Sequence, residues 1–408
     1  MRTHLRTLAL LAVLAPGLAL ANGYDVPNVN PRDLAMTSSG LAAQQDAAAT
    51  YQLPAALSRM GQGLQLSLAG SGLFIFTEWK DNTGTLSPAS SKTKSPPAPP
   101  VSLFASYGFK LAGYDAALGA GMNVIAGGNV KWPDDWAGRG RIITVDRKIY
   151  AGYLSGSLAL SSRVRLGASA IYYYGTEYLK QGIQPNLGSY GELTTKGGKL
   201  SGGVSFEADL TDQLRFAGDM KYLATMRLKG DGHFKVDGPL QTGVQDQGVT
   251  HDLTYPSVMN LGLAYQATPT LLVAATYTYN WYEVYKEDRF IGDKGTVIVV
   301  PRHYGNGQTF RVGAEYTGFP VALRAGVERD LSGFDTDRYS ATLPDGNTWA
   351  YGLGVGIPVM PGLAVNVSAF YADIDKVKVT GHEELPGTYK TDVLIGAIGI
   401  TYKASAGK

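Results

Sequence analysis

The chain has no cysteine, so disulfide frameworks and thiolate metal sites are excluded. Charge is scarce and balanced: Lys, Arg, Asp and Glu make up 17% of 408 residues, with a formal net charge of +2. No basic stripe offers itself to nucleic acid. Past the first two dozen residues, no run approaches the ~20 uninterrupted apolar residues that a spanning helix requires, and mean hydropathy is near zero. Catalytic signatures are missing too. The five histidines (His4, His233, His251, His303 and His382) show no HExxH or comparable ligand spacing, and the last four read as lying in or beside loops. There is no GxSxG nucleophile turn. Gly352-Leu353-Gly354-Val355-Gly356 is a glycine-rich strand and not a dinucleotide loop, because no helix pattern follows it. No metal or cofactor is expected.

What is abundant is glycine (52) and tyrosine (25), both above ordinary usage. The start, MRTHLRTLALLAVLAPGLALANG, has the layout of a secretory signal over residues 1–21. Arg2 and Arg6 supply the positive region, Leu8 to Leu14 the apolar region, and Ala19-Leu20-Ala21 the small-residue cleavage site. Its cleavage would remove two basic residues and no acid, leaving a formally neutral chain. A secreted, cysteine-free chain of this composition is a soluble all-β protein or a transmembrane β-barrel.

Alternation of apolar and polar positions decides between them. In 271–283 the odd positions are Leu271, Val273, Ala275, Tyr277, Tyr279 and Trp281; in 199–210 one face carries Leu200, Val204, Phe206, Ala208 and Leu210. Similar runs occur at 101–111, 116–129, 142–160, 164–178, 214–228, 253–267, 307–317, 321–332, 347–357, 363–373 and 390–402. A more irregular run lies at 62–78, where Gly70 and Gly72 suggest a bulge. Short connections (112–115, 161–163, 211–213, 268–270, 318–320, 359–362) alternate strictly with long ones (79–100, 130–141, 179–196, 229–252, 286–306, 333–346, 374–389). Tight turns on one side, long loops on the other and an even strand count describe a bacterial outer-membrane barrel. The expectation is a 14-stranded antiparallel transmembrane β-barrel over residues 61–408, closed because a sheet in lipid can leave no edge unpaired. Tyr172, Tyr174, Tyr279, Trp281 and Tyr371 fall toward the long-loop ends and Tyr265, Tyr316 and Tyr402 toward the short-turn ends, as two interfacial belts would. The Pro- and Ser-rich stretch 79–100 reads as exposed and mobile.

Residues 22–60 match neither signal nor strand. They have no period-2 alternation and only a short Ala-rich piece from Leu41 to Ala49. Small residues dominate, so the segment reads as an N-terminal plug, or hatch, packed in the lumen. Parity places Arg165, Glu207, Asp209, Arg215, Asp219, Lys221, Arg311, Glu315, Arg324 and Glu328 on the inward face. Both signs occur in the neighbouring patterns 307–317 and 321–332, which predicts charge ladders and no one-sign filter. A sharper alternative is that Arg165, Lys221, Arg311 or Arg324 meets an anionic cargo head group. Other inward faces are small or apolar: Ala350, Gly352, Gly354 and Gly356, and Val393, Ile395, Ala397 and Gly399. They suit a hydrophobic cargo or a close-packed plug.

Ordered motifs along nearly the whole chain resemble one family, the FadL-type outer-membrane transporters of long-chain fatty acids and their hydrocarbon-importing relatives. Asn22-Gly23-Tyr24 resembles the family's mature N-terminus. Pro31-Arg32-Asp33-Leu34-Ala35-Met36, Gly40-Leu41-Ala42 and Asp46-Ala47-Ala48-Ala49 resemble its plug motif, with Leu53-Pro54-Ala55 where that motif reads Asn-Pro-Ala. Trp132 to Arg139 resembles the loop after the third strand, with Ile125-Ala126-Gly127 in place of Pro-Phe-Gly, and Tyr222 to Phe234, Asn280-Trp281, Leu343-Pro344-Asp345 and the ending VLIGAIGITYK also match. The resemblance implies a plug or gate involving Tyr24, Asp46, Leu53, Pro54 and Ala55, a hydrophobic capture site among outer loops, and an inward kink in the third strand that opens the wall sideways. Gly119, Gly121, Gly127 and Gly128 make that strand the most bendable one. The function implied is passive, cofactor-free uptake of hydrophobic molecules by a monomer in the bacterial outer membrane, in contact with its lipids and lipopolysaccharide. Long-chain fatty acids are the expected cargo, with aromatic or other hydrocarbons as the alternative; a structural or adhesive barrel and a lipid hydrolase are more distant ones.

Overall fold

The computed structural model describes residues 30–183, 188–237, 245–295, 297–301, 305–333, 341, 345–380 and 385–404. Tyr24 lies outside the described residues. The wall is one antiparallel sheet closed on itself. Its strands are β1 (Gly63–Lys80), β2 (Val101–Leu111), β3 (Tyr114–Lys131), β4 (Thr144–Ala159), β5 (Val164–Gly182) and β6 (Tyr190–Asp209). Next come β7 (Leu214–Lys221, resuming as Ala224–Lys235) and β8 (Gln247–Tyr255, resuming as Val258–Thr268). The circuit ends with β9 (Leu271–Asn280), β10 (Gly307–Tyr316), β11 (Ala322–Leu331), β12 (Thr348–Met360), β13 (Leu363–Val379) and β14 (Gly387–Lys403). Each strand pairs with its sequence neighbours, and β14 returns to β1 from Gln65↔Lys403 to Lys80↔Thr388. These are the fourteen strands of the expected outer-membrane barrel.

The alternation becomes two faces. On β13, Asn366, Ser368, Phe370 and Ala372 are buried inward, while Val367 and Tyr371 face out. Exposed leucines such as Leu154, Leu200 and Leu353 make the apolar outer band that lipid would cover. One two-residue connection is Ala112-Gly113, where both residues have positive φ (48° and 89°), the geometry of a turn matched to strand twist.

On the long-loop side the strands run further than the alternation predicts. The expected loops 179–196, 229–252 and 374–389 shrink because β5 extends to Gly182, β6 begins at Tyr190, β7 reaches Lys235, β8 begins at Gln247 and β13 reaches Val379. The physical reason is solvent. Out there the outward faces carry Lys180, Lys196, Arg227, Lys229 and Asp252, so hydrogen-bonded ladders continue in water after the apolar period stops. Arg227 and Asp252 form an exposed pair at 2.9 Å on this outer extension. The 286–306 loop holds a small hairpin, Glu287–Gly292 with Val297–Pro301, docked on β8 through Gly292↔Val249. Within 79–100, Ser90–Lys92 pairs with Glu78–Lys80. Gly70 and Gly72 produce no register shift against β14; instead the β1–β2 ladder ends at Gly70↔Val101.

The plug fills the lumen with short elements only, as its pattern suggests. Helix α1 (Pro31–Ala35) starts where the Asn30 side chain accepts from Arg32 N at 3.0 Å and Pro31 occupies the first turn. Helix α2 (Ala49–Gln52) follows Asp46, whose carboxylate accepts from Ala48 N at 2.8 Å. Leu41–Ala43 and Pro54–Arg59 are 3-10 turns. Leu34, Met36, Leu53 and Leu57 are buried, and among the plug's described residues only Gln45 is exposed before Gly61.

Candidate functional site: plug, lumen cavity and the break beside β3

The small inward residues of the wall are where the plug touches it. A Cβ at Gly352 would stand 2.5 Å from Leu34 O, one at Gly354 2.6 Å from the Ala35 Cβ, and one at Gly399 3.0 Å from Pro31. Of the two readings of these faces, the structure thus shows the close-packed plug against β12 and β14. Wall hydroxyls complete the plug's backbone bonds. Ser157 donates to Ala55 O at 2.9 Å, Ser155 to Thr50 O at 2.8 Å and Thr276 to Ser39 O at 2.7 Å, while Ala55 N donates to Ser205 at 2.9 Å. Pro54 and Ala55 therefore sit against β4–β6. Leu53 is buried among the plug's own Ala and Leu side chains, and Asp46 is held inside the plug by Asn30 at 3.2 Å.

Two arginines, Arg32 buried and Arg59 half-buried, tie the plug to wall glutamates. Arg32 makes a two-pronged bond to Glu315 at 3.0 and 3.1 Å, and Arg59 does the same to Glu207 at 2.7 and 3.1 Å. Each glutamate is shared with a wall arginine: Arg324 reaches Glu315 at 2.5 Å and Arg165 reaches Glu207 at 3.1 Å. Arg165 also binds Asp209 at 2.7 Å. Both plug arginines border cavities on the short-turn side, of about 450 Å3 beside Arg59 and about 170 Å3 beside Arg32.

The four proposed head-group cations do not converge. Arg165 and Arg324 lie near the short turns, in the ion pairs just described. Lys221 and Arg311 lie on the far side of the plug, lining a cavity of about 160 Å3 whose floor includes Tyr51 and Gln52. Arg311 pairs with its ladder partner Glu328 at 2.6 Å, and Lys221 with Asp219. Lys221 also stands 5.0 Å over the Tyr51 ring. The expected charge ladders are thus present, and each of these cations already has a carboxylate. The cavity's other side is aromatic: Tyr51 and Tyr153 are 5.3 Å apart, Tyr173 and Tyr255 5.4 Å apart, with Ile125 and Phe370 beside them.

Next to this cavity the wall changes. The β2–β3 ladder runs from Leu111↔Tyr114 to Ser102↔Asn123 and stops. Beyond it β3 pairs with β4 alone, through a register shift between Val124 and Ala126. Gly127 has φ +150°, where a Cβ would meet Arg147 O at 2.5 Å, so no side chain fits without movement. The opposing stretch is Thr93–Pro100, which follows β1 through Leu73↔Ala98 and Ser71 N to Pro100 O at 3.0 Å. Its prolines 96, 97, 99 and 100 have no N–H to offer β3. A bond from Lys94 N to Lys131 O at 2.7 Å bounds the gap on the outer side. Gly128 pairs opposite Arg147 within this stretch. Gly119 and Gly121 sit below it in regular ladder; a Cβ at Gly119 would stand 3.0 Å from Leu57 of the plug, and Gly121 adjoins Phe104.

One cluster escaped the sequence reading. His251, expected beside a loop, is fully buried on the outer part of β8. It lies 3.1 Å from Glu177 of β5 and 3.2 Å from Asp288 of the loop hairpin. Arg147 of β4 pairs with Glu177, and Tyr285 donates to Asp288. Burial alone would lower the His251 pKa, but the two carboxylates outweigh it and push it up to about 9. Two cations then face two anions, clamping the hairpin to β8. Inward parity with Leu253, two residues on, was the available signal. In the loop 132–143, Trp132 and Trp136 stack at 4.2 Å, buried, with Trp79 edge-on to Trp136 at 6.0 Å.

With this geometry in view, residues 12–405 match the family model described as outer membrane protein transport protein (OMPP1/FadL/TodX). Solved structures share the fold. A Pseudomonas aeruginosa FadL homologue is 17% identical with a TM-score of 0.84, covering 93% of this chain and 99% of that one. The Pseudomonas putida toluene transporter TodX is 15% identical with a TM-score of 0.76, covering 94% and 100%. The Ralstonia pickettii toluene transporter TbuX is 15% identical with a TM-score of 0.66, covering 93% and 100%. At these identities the likeness to each concerns the fold. Among curated proteins none matches the sequence.

Proposed function

The chain belongs to the OMPP1/FadL/TodX family of outer-membrane transport proteins, and from that premise we propose the route by which it moves its cargo. It is a channel for hydrophobic compounds in the outer membrane, and not an enzyme. In the route proposed, the outer loops collect an apolar molecule, the cavity outside the plug receives it, the plug rearranges locally, and the molecule leaves sideways into the bilayer beside β3. A sideways exit spares an apolar solute the transfer into water that a straight pore would impose. The observation that carries this reading is the interrupted ladder between Asn123 and Lys131, next to a lumen filled by the plug.

For the cargo, long-chain fatty acids are the first reading, from the motif resemblance. A second, aromatic compounds, is supported by the cavity itself. Its volume of about 160 Å3 is close to that of an engineered cavity of ~150 Å3 that binds benzene, and four tyrosines line it. Growth of a deletion strain on each cargo class, with and without the gene restored, separates the two.

The route is tested by replacing Gly127 and Gly128 with Val. Valine cannot hold φ +150° without strain and favours regular pleat, so the gap should narrow. Uptake of labelled cargo should fall at equal amounts of folded protein in the membrane, with surface binding retained. Undiminished uptake would sink the lateral exit and favour passage past the plug.

A further inference from the structure

Among the described residues, neighbouring strands put like charges directly opposite each other on the outward face at two places. One is Asp373↔Asp392 between β13 and β14, where Lys390 is bonded to Asp373 and lies 3.4 Å from Asp392. The other is Lys196↔Lys229 between β6 and β7. Both lysines are exposed, and neither makes an ion pair with a described residue. Like charges facing each other across a ladder repel and cost stability. The acids near this pair are committed or set apart. Lys148, in the same row of the wall, holds Asp146 at 2.8 Å, and Arg227, one row below, holds Asp252 at 2.9 Å. Asp231, one row above, pairs with neither lysine.

The height of the pair shows what stands outside it. Two rows below, Leu200↔Tyr172 lie exposed on the outward face, with exposed Leu223 beside them on β7. A Cβ at Gly198 would collide with the Tyr172 hydroxyl, so that ring lies along the apolar band with its polar tip toward the lysines. Apolar surface thus gives way to the lysine pair on the long-loop side, where the headgroups of the outer leaflet lie. We propose that Lys196 and Lys229 form a docking surface for a phosphorylated glycolipid of that leaflet. One lipid A phosphate sits between the two ammonium groups, and acyl chains lie over Leu200, Tyr172 and Leu223. Charge complementarity argues for this occupant. A phosphate monoester carries about −1.5 to −2 near pH 7, so it neutralises both lysines at once, as Lys390 serves the two aspartates. A phosphodiester headgroup carries a single charge and does so less well. The surface lies on the outside of the wall, apart from the lumen, and stands whatever the cargo is.

The test uses the full barrel in detergent, stripped of co-purified lipid and checked for the heat-modifiable mobility of a folded one. The immobilised protein is titrated with labelled diphosphoryl lipid A, with lipid A freed of both phosphates, and with phosphatidylglycerol. Wild type should retain diphosphoryl lipid A about ten- to thirtyfold more tightly than Lys196→Gln/Lys229→Gln, the span of two exposed lysines at an anionic membrane surface. High salt should erase most of that difference, and Lys196→Arg/Lys229→Arg should restore retention. Lys376→Gln/Lys378→Gln removes two exposed lysines from the outer end of β13 and should bind as wild type. Equal retention by wild type and Lys196→Gln/Lys229→Gln overturns the inference, because the lysines then merely splay into water. An equal loss in the β13 variant overturns it in favour of overall charge. Undiminished retention of dephosphorylated lipid A would leave acyl contact alone. Phosphatidylglycerol held as tightly as diphosphoryl lipid A, with the same dependence on the lysines, overturns the glycolipid as occupant in favour of an ordinary phospholipid.

Discussion

At the scale of single residues, Glu315 decides how firmly the plug is held. It accepts from Arg32 of the plug and Arg324 of the wall. Removing Arg32 leaves the glutamate neutralised, whereas removing Glu315 strands two arginines away from water. Uncompensated buried charge typically costs ~3–5 kcal/mol. Arg32→Gln should therefore cost about 1–2 kcal/mol and Glu315→Gln about 3–5 kcal/mol, measured by urea titration in liposomes. The reverse order would show that Arg324 does not stand in. His251 makes a pH-dependent case on the outer extension, where the strand's outward face is charged. Its pKa is raised, from 6.5 to about 9. Its stabilisation of the hairpin is then complete below about 6.5, shrinks between there and 9, and is gone above. Proteolysis of the 281–301 loop should accelerate across that window at constant enzyme activity. A rate independent of pH, or one that falls, would mean His251 is not the clamp.

At the scale of elements, α1 and β12 were made for each other by what β12 lacks. Gly352→Val would push a methyl-bearing carbon against Leu34 O, 2.5 Å from the ideal Cβ alone. Overpacking of this kind costs about 1–3 kcal/mol. The strand ladder is untouched, so α1 should lift while the barrel stays closed. Conductance in planar bilayers should rise, and unaltered conductance would show that α1 is not part of the seal. The inward Ala350, Gly352 and Gly354 were legible as a small-residue face because strand parity is strict, but parity alone cannot say whether cargo or plug fills the space. The ladder pairs Arg311↔Glu328 and Glu315↔Arg324 were legible for the same reason. The outer halves of β5 to β8 were not. There the outward face meets water, alternation disappears, and only the hydrogen bonds define the strand. His251 and Glu177 lie on two such segments and Asp288 on the loop hairpin, far apart in sequence, so their meeting is a product of register that no local pattern records. Gly127 was legible as bendable, while the missing partner on its β2 side depends on prolines more than twenty-five residues earlier.

At the scale of the whole molecule, wall and plug differ in what each needs from the other. Apart from the break beside β3, the wall closes its own hydrogen bonds from β1 round to β14, which is the condition for independent existence in lipid. Among its described residues the plug has two α-helices of 5 and 4 residues, both too short to persist alone. Its backbone leans on wall hydroxyls from Ser155, Ser157, Ser205 and Thr276. Dependence therefore runs one way. Deleting Asn22 to Ala49 should leave a barrel that still inserts and shows the heat-modifiable mobility of a folded one. The loss exposes Glu315, Arg324 and the glycine faces of β12 to lumen water, which polar and small groups accept. Glu315 keeps Arg324, so no lone charge is left buried. Single-channel conductance should rise steeply, because α1 and the turn at Leu41–Ala43 would no longer fill the cross-section. The retained Pro54–Arg59 turn, still bonded to Ser157, Ser205 and Glu207, limits how far the bore can open. Extending the deletion through Arg59 should raise conductance again. A barrel that fails to insert would reverse the dependence argued here, and an insertion-competent barrel with unaltered conductance would remove the plug from the lumen altogether.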